Sequence, residues 1–145
     1  MRGINLLVYH CSATEAGKDY SVEEITAWHK ARGFRTIGYH FLIHLDGTID
    51  IGRNIHEIGA HAKGKNRNSI GICYIGGVKD GRPHDTRTTA QIHALRAIDR
   101  VLKSMFPEAD SVGHRDLSVD LNGDGVIQRS EWMKACPSFD VKTQL

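Results

Sequence analysis

Val112-Gly113-His114-Arg115-Asp116-Leu117 and Met133-Lys134-Ala135-Cys136-Pro137-Ser138-Phe139-Asp140 carry the reading that decides the fold of this 145-residue chain. The first stretch delivers a histidine after a short apolar run and the second delivers a cysteine, and the two could share a metal ion. Between them lies Asp120-Leu121-Asn122-Gly123-Asp124-Gly125-Val126-Ile127-Gln128-Arg129-Ser130-Glu131, a full match to the twelve-position calcium loop. The rest of the chain reads as a scaffold that supplies a third ligand and a substrate groove.

That scaffold is one domain's worth of chain, residues 1–145, long enough to bury a core without staples. Charged residues at 25% and hydrophobic residues at 40% describe a globule rather than a disordered chain. A net charge of +2 is too small to argue for nucleic acid, and no apolar run approaches a membrane span, so no membrane insertion is expected. The beginning, Met1-Arg2-Gly3-Ile4-Asn5, opens on too short an apolar run for a secretion signal. Synthesis in the cytosol without a signal peptide is the expectation. Cys11, Cys73 and Cys136 cannot form a fully paired set, which favours a free, metal-binding or catalytic thiol over a disulfide framework.

Working back to the start, Leu6-Leu7-Val8-Tyr9 reads as a buried strand that ends on His10, either a core histidine or a ligand facing a cleft. Ser21 with Glu24 makes a capping box for a helix ending near Ala31-Arg32. Ile37–Leu45 and Thr48–Arg53 read as strands joined at Asp46-Gly47. Alternation places Tyr39, Phe41, Ile43 and Leu45 on one face and His40, Leu42 and His44 on the other, either of which could be the buried one. Ser69–Ile75 reads as a central strand, with Cys73 a small buried hydrophobe. Thr88 and Gln91 box the second helix, whose stripe Ile92, Leu95, Ile98, Leu102 and Met105 is core and which Pro107 ends. Ser111-Val112-Gly113 reads as a short strand carrying His114 to the same edge as His10. A short helix over Glu131–Ala135 closes the chain. This order predicts an α/β fold: a mixed central β-sheet flanked by helices.

Two imidazoles and a thiolate suit zinc, so His10, His114 and Cys136 are the candidate ligands. Three protein ligands leave a fourth position open, and such a site activates water and polarises a carbonyl. His61 begins the basic, glycine-containing loop Ala62-Lys63-Gly64-Lys65-Asn66-Arg67-Asn68, either a solvated surface loop or the rim of a groove for an acidic, hydroxyl-rich ligand.

Five stretches in order give the chain its family resemblance: Val8-Tyr9-His10; Gly38-Tyr39-His40-Phe41 with Asp46-Gly47-Thr48; His61-Ala62-Lys63-Gly64 with Asn68-Ser69-Ile70-Gly71; Gly113-His114; and Lys134-Ala135-Cys136-Pro137-Ser138-Phe139-Asp140. Over nearly its whole length the chain resembles the zinc-dependent type-2 N-acetylmuramoyl-L-alanine amidases, a family that includes phage amidase-type lysozymes and peptidoglycan recognition proteins. The resemblance implies zinc on His10, His114 and Cys136, with catalytic help from Tyr39 and Lys134. It implies hydrolysis of the amide between N-acetylmuramic acid and the L-alanine of the stem peptide. His61 and the Lys63–Asn68 loop, with Arg67 and Asn68, would line the peptidoglycan groove, and His40 would join them.

Family members often link the second histidine to the cysteine by a short loop, whereas here His114 and Cys136 flank the calcium-type insertion 120–131. Its ligand positions are Asp120, Asn122, Asp124, the Val126 carbonyl, Gln128 through a water, and Glu131, with Gly125 at the sharp turn. The expectation is a structural calcium ion that pins Lys134 and Cys136. Competing readings are a non-cutting peptidoglycan-binding module and a cysteine hydrolase with Cys136 as nucleophile and His114 as base. A calcium sensor is a further reading that a single loop does not favour. A monomer acting on the cell wall after release or export, such as an endolysin or a wall-remodelling enzyme, completes the expectation.

Overall fold

A computed structural model describes residues 2–145. In chain order its elements are β1 (Leu6–Cys11), β2 (Thr14–Glu15), α1 (Val22–Ala31), β3 (Phe41–Ile43), β4 (Ile49–Ile51), β5 (Ser69–Tyr74), β6 (Gly77–Lys79), β7 (Arg82–Pro83), α2 (Thr89–Met105), β8 (Asp110–Gly113) and α3 (Val141–Gln144). The main sheet runs β4-β3-β5-β1-β8. β3, β5, β1 and β8 are parallel, and β4 pairs antiparallel to β3 at one edge.

Parallel strands are covered on both faces, and all six residues of the central β5 are buried. Leu7, Tyr9, Cys11, Ile43, Ile70, Ile72 and Tyr74 pack with Leu95, Ile98 and Leu102 of α2. On the opposite face Leu42, Cys73 and Ile75 pack with Ile25 of α1 and with Ile37. The two faces of the Tyr39–Leu45 segment are therefore both buried, with one helix on each side. Cys73 is fully buried among them, and burial pushes its thiol well above the usual value.

Both helices begin where the capping boxes of Ser21–Glu24 and Thr88–Gln91 place them. Gln91 also serves the core. It is fully buried, and its Nε2 donates to the Ile75 carbonyl at 2.9 Å, joining α2 to the sheet.

Several expectations are corrected. The Met105 end of the α2 stripe is exposed, because the sheet beneath it ends at β8, and Gln91 extends the buried stripe at the other end. The predicted Ile37–Leu45 strand is regular only over Phe41–Ile43. The segment before it spends its backbone groups elsewhere: Gly38 N–H donates to His29 Nδ1 at 2.8 Å and Ile37 O accepts from Arg53 Nε at 2.8 Å. The return strand is likewise reduced to Ile49–Ile51, an exposed edge. The predicted helix over Glu131–Ala135 is instead a 3-10 turn, Arg129–Glu131, followed by extended backbone at Trp132. Pro137 disfavours helix at the residue before it, and the Glu131 carboxylate turns back to accept from Leu121 N and Gln128 N. The terminal helix is α3. A second, smaller sheet is ordered β2-β6-β7.

The parallel pairing of β1 with β8 has one consequence for the site. The register Tyr9↔Gly113 brings the next residues, His10 and His114, out together at the same sheet edge.

Candidate active site

His10, His114 and Cys136 meet at that edge. Each offers one ligand atom, and these lie within 4.8 Å of one another. The His10 and His114 ring centroids are 4.7 Å apart. Cys136 Sγ lies 3.8 Å from His10 Nδ1 and accepts the backbone N–H of Cys11 at 3.3 Å. His10 is almost fully buried, whereas His114 and Cys136 are half-buried and border a groove of about 660 Å³.

The electrostatics suit a metal ligand set. Burial pushes His10 well below the usual histidine value, and the neighbouring His61, His114 and Lys134 push it the same way. Burial and then Lys134 lower His114. Both imidazoles are thus neutral at pH 7, with lone pairs free for an ion. The side-chain contact with the Cys11 thiol, and burial, hold the Cys136 thiol well above its usual range, against the opposing pull of the Cys11 backbone N–H. Coordination is what would make it a thiolate.

Tyr39 and Lys134 both line the groove. The Tyr39 ring stands 5.1 Å from His10 and 5.2 Å from His29. Burial keeps its phenol protonated well above the usual range, so it is a donor. Lys134 is exposed, and its charge acts on both His10 and His114.

The insertion does not separate the ligands it interrupts. Arg115 N–H donates to Cys136 O at 2.9 Å, and Met133 N–H donates to Ser118 Oγ at 3.0 Å. Ser118 Oγ in turn donates to Arg115 O at 2.6 Å. These contacts close the insertion at its base, so His114 and Cys136 sit side by side although a long loop intervenes. Within the loop, Asp120, Asp124 and Glu131 present ligand atoms within 4.8 Å of one another. Asp120 accepts from Gly123 N and Gly125 N at 2.9 and 2.7 Å. Asn122 and Gln128 share a side-chain hydrogen bond of 3.0 Å, and Val126 is exposed.

The candidate substrate residues divide. His61 and Lys63 line the groove. His40 does not: it is fully buried, its Nδ1 accepts from Gly71 N at 3.0 Å and its Nε2 lies 2.8 Å from Glu57 O. It braces the loop behind the groove. Asn68 donates to Asn5 Oδ1 at 2.6 Å, at the amino ends of the strands and away from the ligands. Arg67 is exposed outside the groove, and its carbonyl accepts from Arg2 at 3.0 Å.

Several groove residues were not legible beforehand. His29 sits on the buried face of α1, where it reads as core, yet it borders the groove beside Tyr39. Asn66, by contrast, belongs to the loop expected to line the groove; its Oδ1 accepts from both His61 N and Ala62 N at 2.9 Å and so fixes that loop. An asparagine a few residues after a turn is the available signal for such a clamp. Arg32 and Phe34 form the far wall, with the guanidinium 5.1 Å from the ring centroid.

A protein family described as N-acetylmuramoyl-L-alanine amidase matches residues 1–138. An endolysin of Klebsiella phage KP32 is 41% identical over 134 residues, covering 92% of this chain and 80% of that protein. The solved structure of the N-acetylmuramoyl-L-alanine amidase LysC from Clostridium intestinale superposes with a TM-score of 0.74 at 29% identity, over 96% of this chain and 79% of that one. Drosophila PGRP-LB shares the fold at a TM-score of 0.71 and 23% identity, over 94% of this chain and 76% of that one. With the fold, the groove and the matched residues in agreement, the chain belongs to the type-2 N-acetylmuramoyl-L-alanine amidase family.

Proposed function

We propose that this peptidoglycan amidase cleaves the amide between N-acetylmuramic acid and L-alanine with a zinc ion held by His10, His114 and Cys136. The observation that carries this reading is the ligand cluster at the groove floor. A tetrahedral zinc with bonds of about 2.1 Å to nitrogen and 2.3 Å to sulfur places two nitrogens roughly 3.4 Å apart and a nitrogen and a sulfur about 3.6 Å apart, with a few tenths of an ångström of tolerance. The Cys136 Sγ to His10 Nδ1 distance of 3.8 Å fits that edge. Neutral imidazoles and a sulfur already supplied with an N–H donor fit the ion's chemistry.

When bound, the ion would supply a Lewis acid at the scissile carbonyl and lower the pKa of a water there. The chain's own residues do the rest. Tyr39, protonated and beside His10, donates a hydrogen bond to the oxygen that gains charge. The Lys134 ammonium, which also lines the groove, stabilises the same charge. One of these two groups passes a proton to the departing L-alanine amine. Lys63, on the groove lining, is the basic group placed to border the substrate.

The decisive experiment follows release of stem peptides bearing a free L-alanine amine from peptidoglycan. It uses the protein as purified, after zinc chelation, and after zinc return. Activity lost and restored supports the zinc reading. Activity indifferent to zinc favours Cys136 as a nucleophile, and no release by zinc-loaded protein favours a binding module.

A structural calcium ion in the 120–131 insertion is the second part of the proposal. Its support is the complete ligand pattern and the approach of Asp120, Asp124 and Glu131. Asn122, the Val126 carbonyl and Gln128 would complete the shell. The ion would stiffen the loop whose base holds Lys134 and Cys136. Calcium should raise the melting temperature of the wild type and leave Glu131→Gln unmoved. An unchanged wild-type melting temperature removes the calcium assignment.

A further inference from the structure

We infer that His61 is a positioning residue for the first metal ligand rather than a substrate contact, and that His10, His61 and Ser69 hold one fixed arrangement of protons. The inference rests on the ligand assignment above and concerns which side chain makes His10 fit for it.

His10 presents Nδ1 toward Cys136, at 3.8 Å from the sulfur. Its other nitrogen, Nε2, lies 2.9 Å from His61 Nδ1. A neutral imidazole that gives the Nδ1 lone pair to an ion carries its proton on Nε2. That N–H then donates to His61 Nδ1, which must be the bare, accepting nitrogen. Neutral His61 therefore carries its own proton on Nε2, 3.2 Å from Ser69 Oγ, which accepts it. Ser69 is fully buried at the start of β5, so the relay ends inside the protein and not in water. Reversing either ring would set two N–H groups, or two lone pairs, against each other.

The surrounding sequence is fitted to this ring. A Cβ at Gly71 would come within 2.6 Å of His61 Cγ, and one at Gly59 within 2.7 Å of His61 Cδ2. The His61 ring stands edge-on to His10 at 4.9 Å and to His40 at 5.9 Å. The Asn66 side chain fixes its backbone N–H at 2.9 Å. With both ring nitrogens engaged, His61 offers the groove only ring carbon. The partner on a ligand's second nitrogen commonly changes metal affinity by about 10- to 100-fold.

The test measures zinc affinity by chelator competition in the wild type, His61→Ala, His61→Gln and Ser69→Ala, together with kcat and KM at saturating zinc. The expected result is a 10- to 100-fold weaker zinc Kd in His61→Ala with KM unchanged. His61→Gln, whose amide oxygen can still accept from His10 Nε2, recovers part of the loss, and Ser69→Ala gives a smaller loss. In the cobalt-substituted protein the d–d spectrum should shift in His61→Ala, which a general loss of stability would not produce. Tight zinc binding in His61→Ala with a raised KM overturns the inference and restores His61 as a substrate contact. A wild type that binds no zinc is a different outcome, which removes the ligand assignment itself. Should the alanine variant not fold, ¹⁵N imidazole spectra of zinc-loaded wild type still decide the matter. His61 protonated on Nε2 is expected, and protonation on Nδ1 overturns the relay.

Discussion

The sulfur of Cys136 accepts the backbone N–H of Cys11 at 3.3 Å, so the candidate ligand nearest the end of the chain is fastened to the strand end that carries His10. An N–H donor to sulfur favours the thiolate and aims it. This contact ties a long-range loop to β1, and it explains why the site survives the insertion between His114 and Cys136.

The nature of the third ligand separates two chemistries. Cys136→Asp should keep measurable zinc binding and part of the activity, since a carboxylate also ligates zinc. Cys136→Ala should bind zinc far more weakly and lose stem-peptide release. Zinc content and release, measured on both variants, check this. A Cys136→Asp protein that binds zinc and is wholly inactive would point to a nucleophilic thiol.

In the proposed reaction, Lys134 and Tyr39 act on charge that develops only in the transition state. Lys134→Ala should lower kcat by roughly 10²–10³ with little change in KM, the range typical of one lost oxyanion donor. Tyr39→Phe removes only the hydroxyl and should fall in the same direction with zinc affinity unchanged. Steady-state kinetics with a soluble muropeptide, beside zinc titration, make the comparison.

Ser118 fastens the base of the insertion through Met133 N and Arg115 O. Ser118→Ala loses both hydrogen bonds at a site only 7% exposed, at about 1–3 kcal/mol. Melting temperature should fall. Activity should fall further than in Leu95→Ala at matched stability, because Leu95 lies on α2 and does not line the groove. Equal activity losses at equal stability would place the insertion outside the catalytic machinery.

The metal-free protein should lose stability on acidification. Burial lowers His10 and His114, and it lowers His61 to about 3, against an unfolded value near 6.5. The unfolded chain therefore binds more protons below pH 6.5, and stability rises with pH in that window. Chemical denaturation from pH 7 to pH 4 should show a progressive fall, steeper than in His61→Gln. Zinc affinity should fall over the same range, because protons compete for the same nitrogens.

The fold class, both capped helices and the central strand were legible in the sequence, as were the three residues that meet at the groove, because each rests on local signals. Capping boxes, hydrophobic periodicity and histidines placed just after short β-rich runs act over a few residues. The single-layer reading of the Tyr39–Leu45 segment was not resolvable that way, since a strand covered on both faces shows no preferred side. The helix expected over Glu131–Ala135 failed because Glu131 serves the insertion and Pro137 follows Cys136.

By itself the sequence determined which residues are candidate metal ligands, where the two capped helices and the central strand lie, and the family pattern in which they occur. Only the tertiary structure decided that His61, on the groove lining, packs its ring against His10, that His40 and Asn68 turn away from the groove, and that the insertion closes on itself. Those outcomes depend on pairing between residues far apart in the chain. The β1–β8 register sets His10 beside His114, and Gly59 and Gly71 leave the space the His61 ring fills. Such placements follow from close packing of distant segments, which no local pattern encodes.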